Sequence, residues 1–382
     1  MGTRVDIIGW GGNGMAIVNA IVEVVARHED LWSVFRVSSE VSRLNSVVAS
    51  DGGDEGVSRD VAESAEAGPG LVVSEDTDRL LRGALALAEA TGGAFNPMIG
   101  PLVAAWDVKA MRAAYVAGRP LPPAPSGRVV EAALRASSWG LLSRVGERRW
   151  VMGAPAESVR GVDVPSPRLD LGGIAKGYTA DACRDLAVSM GARGILVSVG
   201  TSSVSVSGTR ADGSPWRAGL RDPHGAPTAI AGVVELPVGG MASLSTSGDN
   251  LGPLGDVRAG PVAGPVADPA VGPVSGSAAG PAADLRARET SRETPAGGSR
   301  IFDHHIINPR TGYPARSGVR QVSVVASSGV LAEALSTALL VDPSIDVSDV
   351  AARWARATGA QASAKVVGLV RAERSTSVAL DE

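Results

Sequence analysis

The 382-residue sequence is poor in aromatic side chains: seven Trp, three Tyr and three Phe make up 3% of the chain. Since 44% of residues are nevertheless hydrophobic, the apolar content rests on Ala, Val and Leu. Such a chain either packs small residues closely or carries stretches that are not core. Cys183 is the only cysteine, which excludes an internal disulfide, a CxxC redox pair and a cysteine zinc cluster and leaves a buried thiol as the expectation. There is no basic excess, with 36 Lys and Arg against 40 Asp and Glu for a net charge of −4. Nothing therefore favours the phosphates of a nucleic acid, and a nucleic-acid partner is not expected. A long hydrophobic run is missing too. The most apolar early stretch, Met15 to Ala26, is interrupted by Asn19 and Glu23 and falls short of the roughly 20 residues of a membrane span. It lacks the basic flank and small-residue cleavage site of a signal peptide, so no membrane span and a cytoplasmic location are expected if Met1 is the true start.

What is present begins with a change of composition. Residues 251–300 hold no aromatic residue and repeat Ala-Gly-Pro at 259–261, 263–265 and 279–281. Such a segment cannot bury enough surface to offset its ordering entropy, and it reads as a low-complexity loop. Loop-closure cost grows only logarithmically with length, so a surface turn tolerates an insertion of this size. By length alone, at about 100–200 residues per domain, two or three domains are expected. Subtracting the loop lowers that number.

Elsewhere helices and strands mix. Helical spacing of apolar residues runs from Ser74 to Gly92, from Gly177 to Met190 and from Gly329 to Val341. Strands are expected at Gly194–Val199, Val204–Gly208, Ile230–Leu236 and Gln321–Ala326, where β-branched residues cluster between Gly and Pro signals. Hairpin-like spacing favours an α+β fold over a parallel sheet.

Near the amino terminus Gly9, Gly11 and Gly14 satisfy G-x-G-x-x-G after a strand-like Arg4–Ile8 and before a helix-like Met15–His28. A dinucleotide fingerprint has that form, but it expects an acidic residue about 20 residues on. Here Glu40 comes later, and a flexible strand-to-helix turn is the favoured reading over nicotinamide binding by an oxidoreductase.

Four further stretches concentrate polar residues and glycines. Leu169 to Tyr178 (LDLGGIAKGY) reads as a strand end entering a helix, where Asp170 can accept hydrogen bonds and Lys176 can neutralise a phosphate. Ser245 to Asp249 (STSGD) is a hydroxyl-rich turn that cradles phosphates or simply ends a hairpin. His304 to Pro314 gathers two histidines and Arg310 around Asn-Pro and Thr-Gly turns; on a strand the two would face opposite ways, so one at most serves as a general base. On the last of these stretches Glu333 and Thr337 lie one helical turn apart. They are either oxygen ligands for a hard cation such as Mg²⁺ or a solvated Glu beside a Thr bonded to its helix.

Taken in order, these stretches resemble the FAD:protein FMN transferase family, often called ApbE. The likeness also includes Phe35-Arg36, Ser39 to Asn45, Thr91 to Pro97 and Gly100 to Leu102 with Trp106. It implies a single α+β flavin-transferase domain, related to the T-fold, with mixed antiparallel sheets and packed helices. That domain would span residues 1–382, interrupted by the 251–300 loop. The implied reaction moves FMN from FAD to a Ser or Thr hydroxyl of an acceptor protein, releases AMP and depends on Mg²⁺. The alternative is a relative that binds or hydrolyses FAD without transferring FMN. Matching positions imply Mg²⁺ ligation by Gly173, Glu333 and Thr337. They imply an FAD site of Met1, Phe35, Ala94, Phe95, Asn96, Asp170, Lys176 and Leu244, and His305 as the group that helps deprotonate the acceptor. The chain departs from the family pattern at Glu333, Asn96 and Asn308, where Asp is common, and at Val199-Gly200-Thr201, where Gly-Gly-Asp is frequent.

Overall fold

The computed structural model describes residues 3–46, 48–49, 70–117, 119–155, 158–223, 225–226, 228–238, 240–248 and 305–371. They fall in one of the two units into which the chain divides, Met1–Gly252 with Phe302–Glu382; the other, Pro253–Ile301, lies outside the described residues, as does the loop expected at 251–300. In chain order the elements begin with β1 (Val5–Trp10), α1 (Gly14–Trp32), α2 (Glu40–Ser46), β2 (Val48–Ala49), β3 (Leu71–Val72) and α3 (Glu75–Ala90). They continue with α4 (Gly100–Ala105), α5 (Val108–Val116), α6 (Gly127–Ala136), β4 (Leu142–Gly146), β5 (Arg149–Gly153), β6 (Ser158–Val159), β7 (Val162–Asp163) and α7 (Ala175–Ser189). After these come β8 (Gly194–Val199), β9 (Ser203–Gly208), β10 (Arg217–Arg221), β11 (Ile230–Glu235) and β12 (Met241–Gly248). The last are β13 (Val319–Ala326), α8 (Gly329–Val341), α9 (Val347–Thr358) and β14 (Ala364–Arg371).

The main sheet has the order β1-β8-β9-β12-β13-β14, and every neighbouring pair in it is antiparallel. The expected α+β class follows from this arrangement. β12 and β13 pair antiparallel with Gly248 opposite Gln321. Two faces result from the period of two along each strand. Leu244 and Ala242 on β12 and Val206 on β9 pack under the β10–β11 hairpin with Trp216, Leu220 and Val234. Ser243, Ser245 and Ser247 alternate with them, and their hydroxyls meet side chains of α7 and α8.

Small residues let the helices sit close. Ile17 and Ile21 of α1 pack on Ala180, Cys183 and Ala187 of α7 over Ile195 and Val197 of β8. The Cys183 thiol is fully buried there, and desolvation pushes its pKa up to about 12. A larger core joins α3, α8, α9 and β13 through Leu80, Leu87, Leu335, Leu339 and Trp354.

The amino-terminal glycines serve packing. Strand β1 is an edge of the antiparallel sheet, and Gly11 and Gly12 have φ of 84° and 66°. A Cβ on Gly12 would lie 2.8 Å from the Met190 carbonyl oxygen. The Asn13 side chain accepts from Ala16 N–H and caps α1, so the local acceptor uses the helix end. Glu40 binds both N–H and hydroxyl of Ser74 at the start of α3, through 2.8 and 2.9 Å contacts. These contacts give the glycine-turn reading its physical basis.

Candidate active site

The site is built where α7 crosses α8. Gly177 and Gly329 face each other so closely that a Cβ on Gly177 would lie 2.2 Å from the Gly329 carbonyl oxygen. The Asp181 carboxylate, one turn along α7, accepts the Gly329 N–H at 2.6 Å and thereby holds the start of α8. One turn further along α8, Glu333 reaches back. Its Oε2 accepts the Gly177 N–H at 2.8 Å, and its Oε1 accepts from Ser203 Oγ at 2.6 Å and lies 2.7 Å from Lys176 Nζ. Ile174 provides no side-chain cap for α7, so Glu333 fills part of that role from another helix. A carboxylate at a helix N-terminus is favoured by the macrodipole. Here it is also almost wholly buried and has three donors, as a buried charge requires.

Hydroxyls continue the site along α8. Ser247 Oγ lies 2.7 Å from Ser336 Oγ and 3.1 Å from Thr337 Oγ1, while Ser336 Oγ donates to the Glu333 carbonyl oxygen at 3.0 Å. Thr337 is half-buried although the residues before and after it on α8 are buried, so the helix presents it to the open side. Ser245 to Gly248 is strand, not the expected hydroxyl-rich turn. The reason is alternation: Leu244 fills one face while the serines are satisfied by helix side chains on the other. Asp249 lies outside the described residues.

Of the residues expected in the flavin and metal sites, several converge. Gly173 approaches the Phe95 ring, whose edge would lie 3.4 Å from a Cβ at Gly173. Asp170 N–H donates to the Pro97 carbonyl at 2.8 Å, and its Oδ1 accepts the Gly172 N–H at 2.8 Å, which ties the 94–97 segment to the start of α7. The stem of Lys176 and the Thr3 hydroxyl both flank Gly200, the turn between β8 and β9. Ala94 is buried beside Phe95.

Others stand apart. The Asn96 side chain is buried and ties its turn to the end of α6, donating to the Ser137 carbonyl at 2.7 Å and accepting from Met98 N–H at 2.8 Å. The Leu244 side chain points into the core beneath the hairpin, away from the serine face. Phe35 is 82% exposed, with the Lys109 ammonium 5.6 Å from its ring centre. His305 is half-buried at the start of the segment whose Ile307 bridges to Pro314. Met1 and His304 lie outside the described residues. Arg310 is a clamp: it donates to the Gly92 and Thr91 carbonyls at 2.8 and 2.7 Å and pairs with Asp342 at 2.7 Å.

Ser203 was not singled out in the sequence, nor was the Gly177–Gly329 contact. A signal existed in the alternation of Ser203, Ser205 and Ser207 with Val204 and Val206, matched by Ser243, Ser245 and Ser247 on β12. Register places Ser203 opposite Ser245 and Ser205 opposite Ser243.

A second polar cluster lies on α7. Tyr178 donates to Asp76 Oδ1 at 2.8 Å, and His28 Nε2 stands 3.8 Å from Asp76 Oδ2 while its Nδ1 contacts Thr179 Oγ1 at 3.0 Å. The facing His28 ring, the Tyr178 hydroxyl and the Arg27 charge outweigh burial and hold the Asp76 carboxyl down to about 2. Burial first, then Asp76, pushes the Tyr178 hydroxyl well above its ordinary range. Asp76 and Tyr178 line a cavity of about 450 Å³ with Leu80, Asp181, Val330 and Trp354. None of Lys176, Ser203, Glu333 and Thr337 lines it.

Among the described residues no three His, Cys, Asp or Glu side chains cluster for a metal, and no helix is long and apolar enough to cross a membrane. A model of the ApbE family matches residues 1–260 and 292–361. The chain is 29% identical over 294 residues to a FAD:protein FMN transferase of Treponema pallidum, covering 73% of this chain and 64% of that protein. It is 27% identical over 341 residues to one of Rhodobacter capsulatus, covering 89% and 49%. The chain thus spans about half to two-thirds of the length of these curated relatives. Its fold is similar to the crystal structure of an ApbE protein of Thermotoga maritima, with TM-score 0.60 and 24% identity over 97% of this chain and 94% of that one. It is similar also to the flavin transferase ApbE of Vibrio cholerae, with TM-score 0.60 and 21% identity over 96% and 90%. With the family model matched along most of its length, the chain belongs to the ApbE family.

Proposed function

We propose that the chain is a FAD:protein FMN transferase that moves FMN from FAD to a Ser or Thr hydroxyl of an acceptor protein. The observation that carries this reading is the buried Glu333 carboxylate, fixed to the first turn of α7 and faced by Lys176, with the Thr337 hydroxyl one turn away on the open side. The names of the relatives point to the same reaction. In it the acceptor oxygen forms a bond to the phosphorus on the FMN side of the pyrophosphate, the bridging P–O bond breaks, and AMP leaves.

The donor chemistry around Glu333 fits Mg²⁺. Beside the Lys176 ammonium it offers oxygens that include one carboxylate, and Mg²⁺ prefers one or two carboxylates together with water and substrate phosphates over an all-protein cage. Glu333 and Thr337 side chains and the Gly173 carbonyl are the proposed ligands. When bound, Mg²⁺ neutralises charge on the pyrophosphate. Lys176, at the start of α7, supplies a positive charge to the phosphates, and the glycine-rich 172–177 turn presents its backbone to them. Ala94, Phe95 and Asp170 line the flavin side. His305 takes the proton of the acceptor hydroxyl. The catalytic unit is one domain spanning both sides of the 251–300 segment.

Incubation with FAD, Mg²⁺ and a peptide bearing a flavinylation-type Ser or Thr tests this reading. Gain of FMN mass on the peptide is expected. AMP release without modification would leave only FAD hydrolysis, and neither product would refute both. Thr337→Ala is expected to abolish Mg²⁺-dependent transfer and Glu333→Asp to retain it; full Mg²⁺-dependent transfer by Thr337→Ala would overturn the ligand set.

A further inference from the structure

Glu333 is held asymmetrically. Its Oε2 is fixed by a backbone amide of α7, while its Oε1 is shared by the Ser203 hydroxyl and the Lys176 ammonium. The Glu333 side chain is 4% exposed and that of Lys176 is 26% exposed, so the lysine reaches inward from the rim to a buried charge. A buried carboxylate without a counter-charge is strongly destabilising. Glu333 is not the only partner of the ammonium, because Lys176 Nζ also donates to the Gly172 carbonyl oxygen at 3.0 Å. A compact charge on a four-carbon stem suits exchange between partners.

Resting on the flavin-transferase reading, the geometry points to Lys176 as a placeholder for the divalent cation. The ammonium and the cation compete for Glu333 Oε1, and the FAD pyrophosphate relieves the competition by giving Lys176 another anionic partner. Cation and flavin therefore bind with positive coupling, and by reciprocity each tightens the other by the same factor. Lys176 acts here as a positioning residue for the metal site in addition to its contact with phosphate.

The test is calorimetric titration of the full chain with Mg²⁺ alone, then with Mg²⁺ in the presence of saturating FAD, for the wild type, Lys176→Met and Lys176→Arg. Removing the competing charge-assisted contact is expected to tighten binding of Mg²⁺ alone by about tenfold in Lys176→Met and to diminish the FAD enhancement. Lys176→Arg, which keeps the charge, is expected to stay near the wild type. If Lys176→Met does not fold, Lys176→Gln carries the same expectation. Mg²⁺ affinity unchanged within twofold, or weaker, on removal of the charge would overturn the proposal, and so would absence of Mg²⁺ binding in every form. The two readings fail separately. Tighter Mg²⁺ binding in a chain that transfers no FMN would uphold the placeholder and sink transfer, whereas FMN transfer with unchanged Mg²⁺ affinity would do the reverse.

Discussion

Two glycine-rich stretches of this chain enter helices, and they are capped in different ways. At Gly9 to Gly14 the helix that follows is capped by its own neighbour, because the Asn13 side chain accepts from Ala16 N–H. The glycines there relieve contacts with the turn after α7. At Asp170 to Gly177 no local side chain caps α7. The Gly177 amide takes Glu333 as its acceptor from a helix 156 residues away, and that carboxylate brings Lys176 and Ser203 with it. A glycine-rich helix start with a local cap is a packing device. One whose cap is imported gathers polar groups from separate elements, and chemistry needs that convergence.

The largest expected effect comes from breaking the imported cap. Gly177→Ala would put a methyl group 2.2 Å from the Gly329 carbonyl oxygen, and the obstacle is backbone on both sides. Rigid overpacking of this kind is expected to cost about 3 kcal/mol, measured by equilibrium denaturation, and to weaken Mg²⁺ binding as α7 and α8 part. A loss below about 1 kcal/mol would show that the crossing is not tight.

Gly12→Ala sharpens the other half of the comparison. Its φ of 66° and the 2.8 Å approach to the Met190 carbonyl oxygen predict a loss of about 2 kcal/mol. Binding of Mg²⁺ and FAD by the folded fraction is expected to stay at the wild-type level. Should Gly12→Ala weaken flavin binding without loss of stability, the amino-terminal turn would belong to the flavin site and the contrast would collapse.

Much of this was legible before any coordinates. Ser74 with its following acidic turn and the Gly92-Gly93 stop mark α3, whose observed span is Glu75–Ala90. The Gly329–Val341 helix matches its expected bounds, with Glu333 and Thr337 one turn apart on it. Illegible parts depend on pairings across the chain. Ser203 meets Glu333 only because β9 and α8 are brought together, and Gly177 meets Gly329 only through a helix crossing that no local pattern encodes. Asn96 and Arg310 carry polar side chains near the expected segments, yet one ties its turn to the end of α6 and the other clamps helix-end carbonyls. Residue type indicated polarity at those positions; only geometry distinguishes fastening from recognition.

The smallest expected effect concerns a polar cluster that forms without such glycines. Asp76, on the first turn of α3 against Tyr178 of α7, is held at about 2 against an ordinary value of 3.8 by His28, Tyr178 and Arg27. A carboxylate depressed in the folded state contributes stability that is fully present above its unfolded pKa and disappears as pH falls through its folded one. The window is therefore roughly pH 4 down to 2. Asp76→Asn should flatten the acid limb of stability there and cost about 1–2 kcal/mol at neutral pH, after discounting for solvent screening of this partly exposed group. Mg²⁺ affinity at neutral pH is expected to be unchanged, because none of the Glu333 donors belongs to this cluster. If Asp76→Asn instead weakened Mg²⁺ binding while leaving the acid limb intact, the two faces of α7 would be parts of one site, and an imported cap would no longer distinguish the face that binds from the face that only holds the fold.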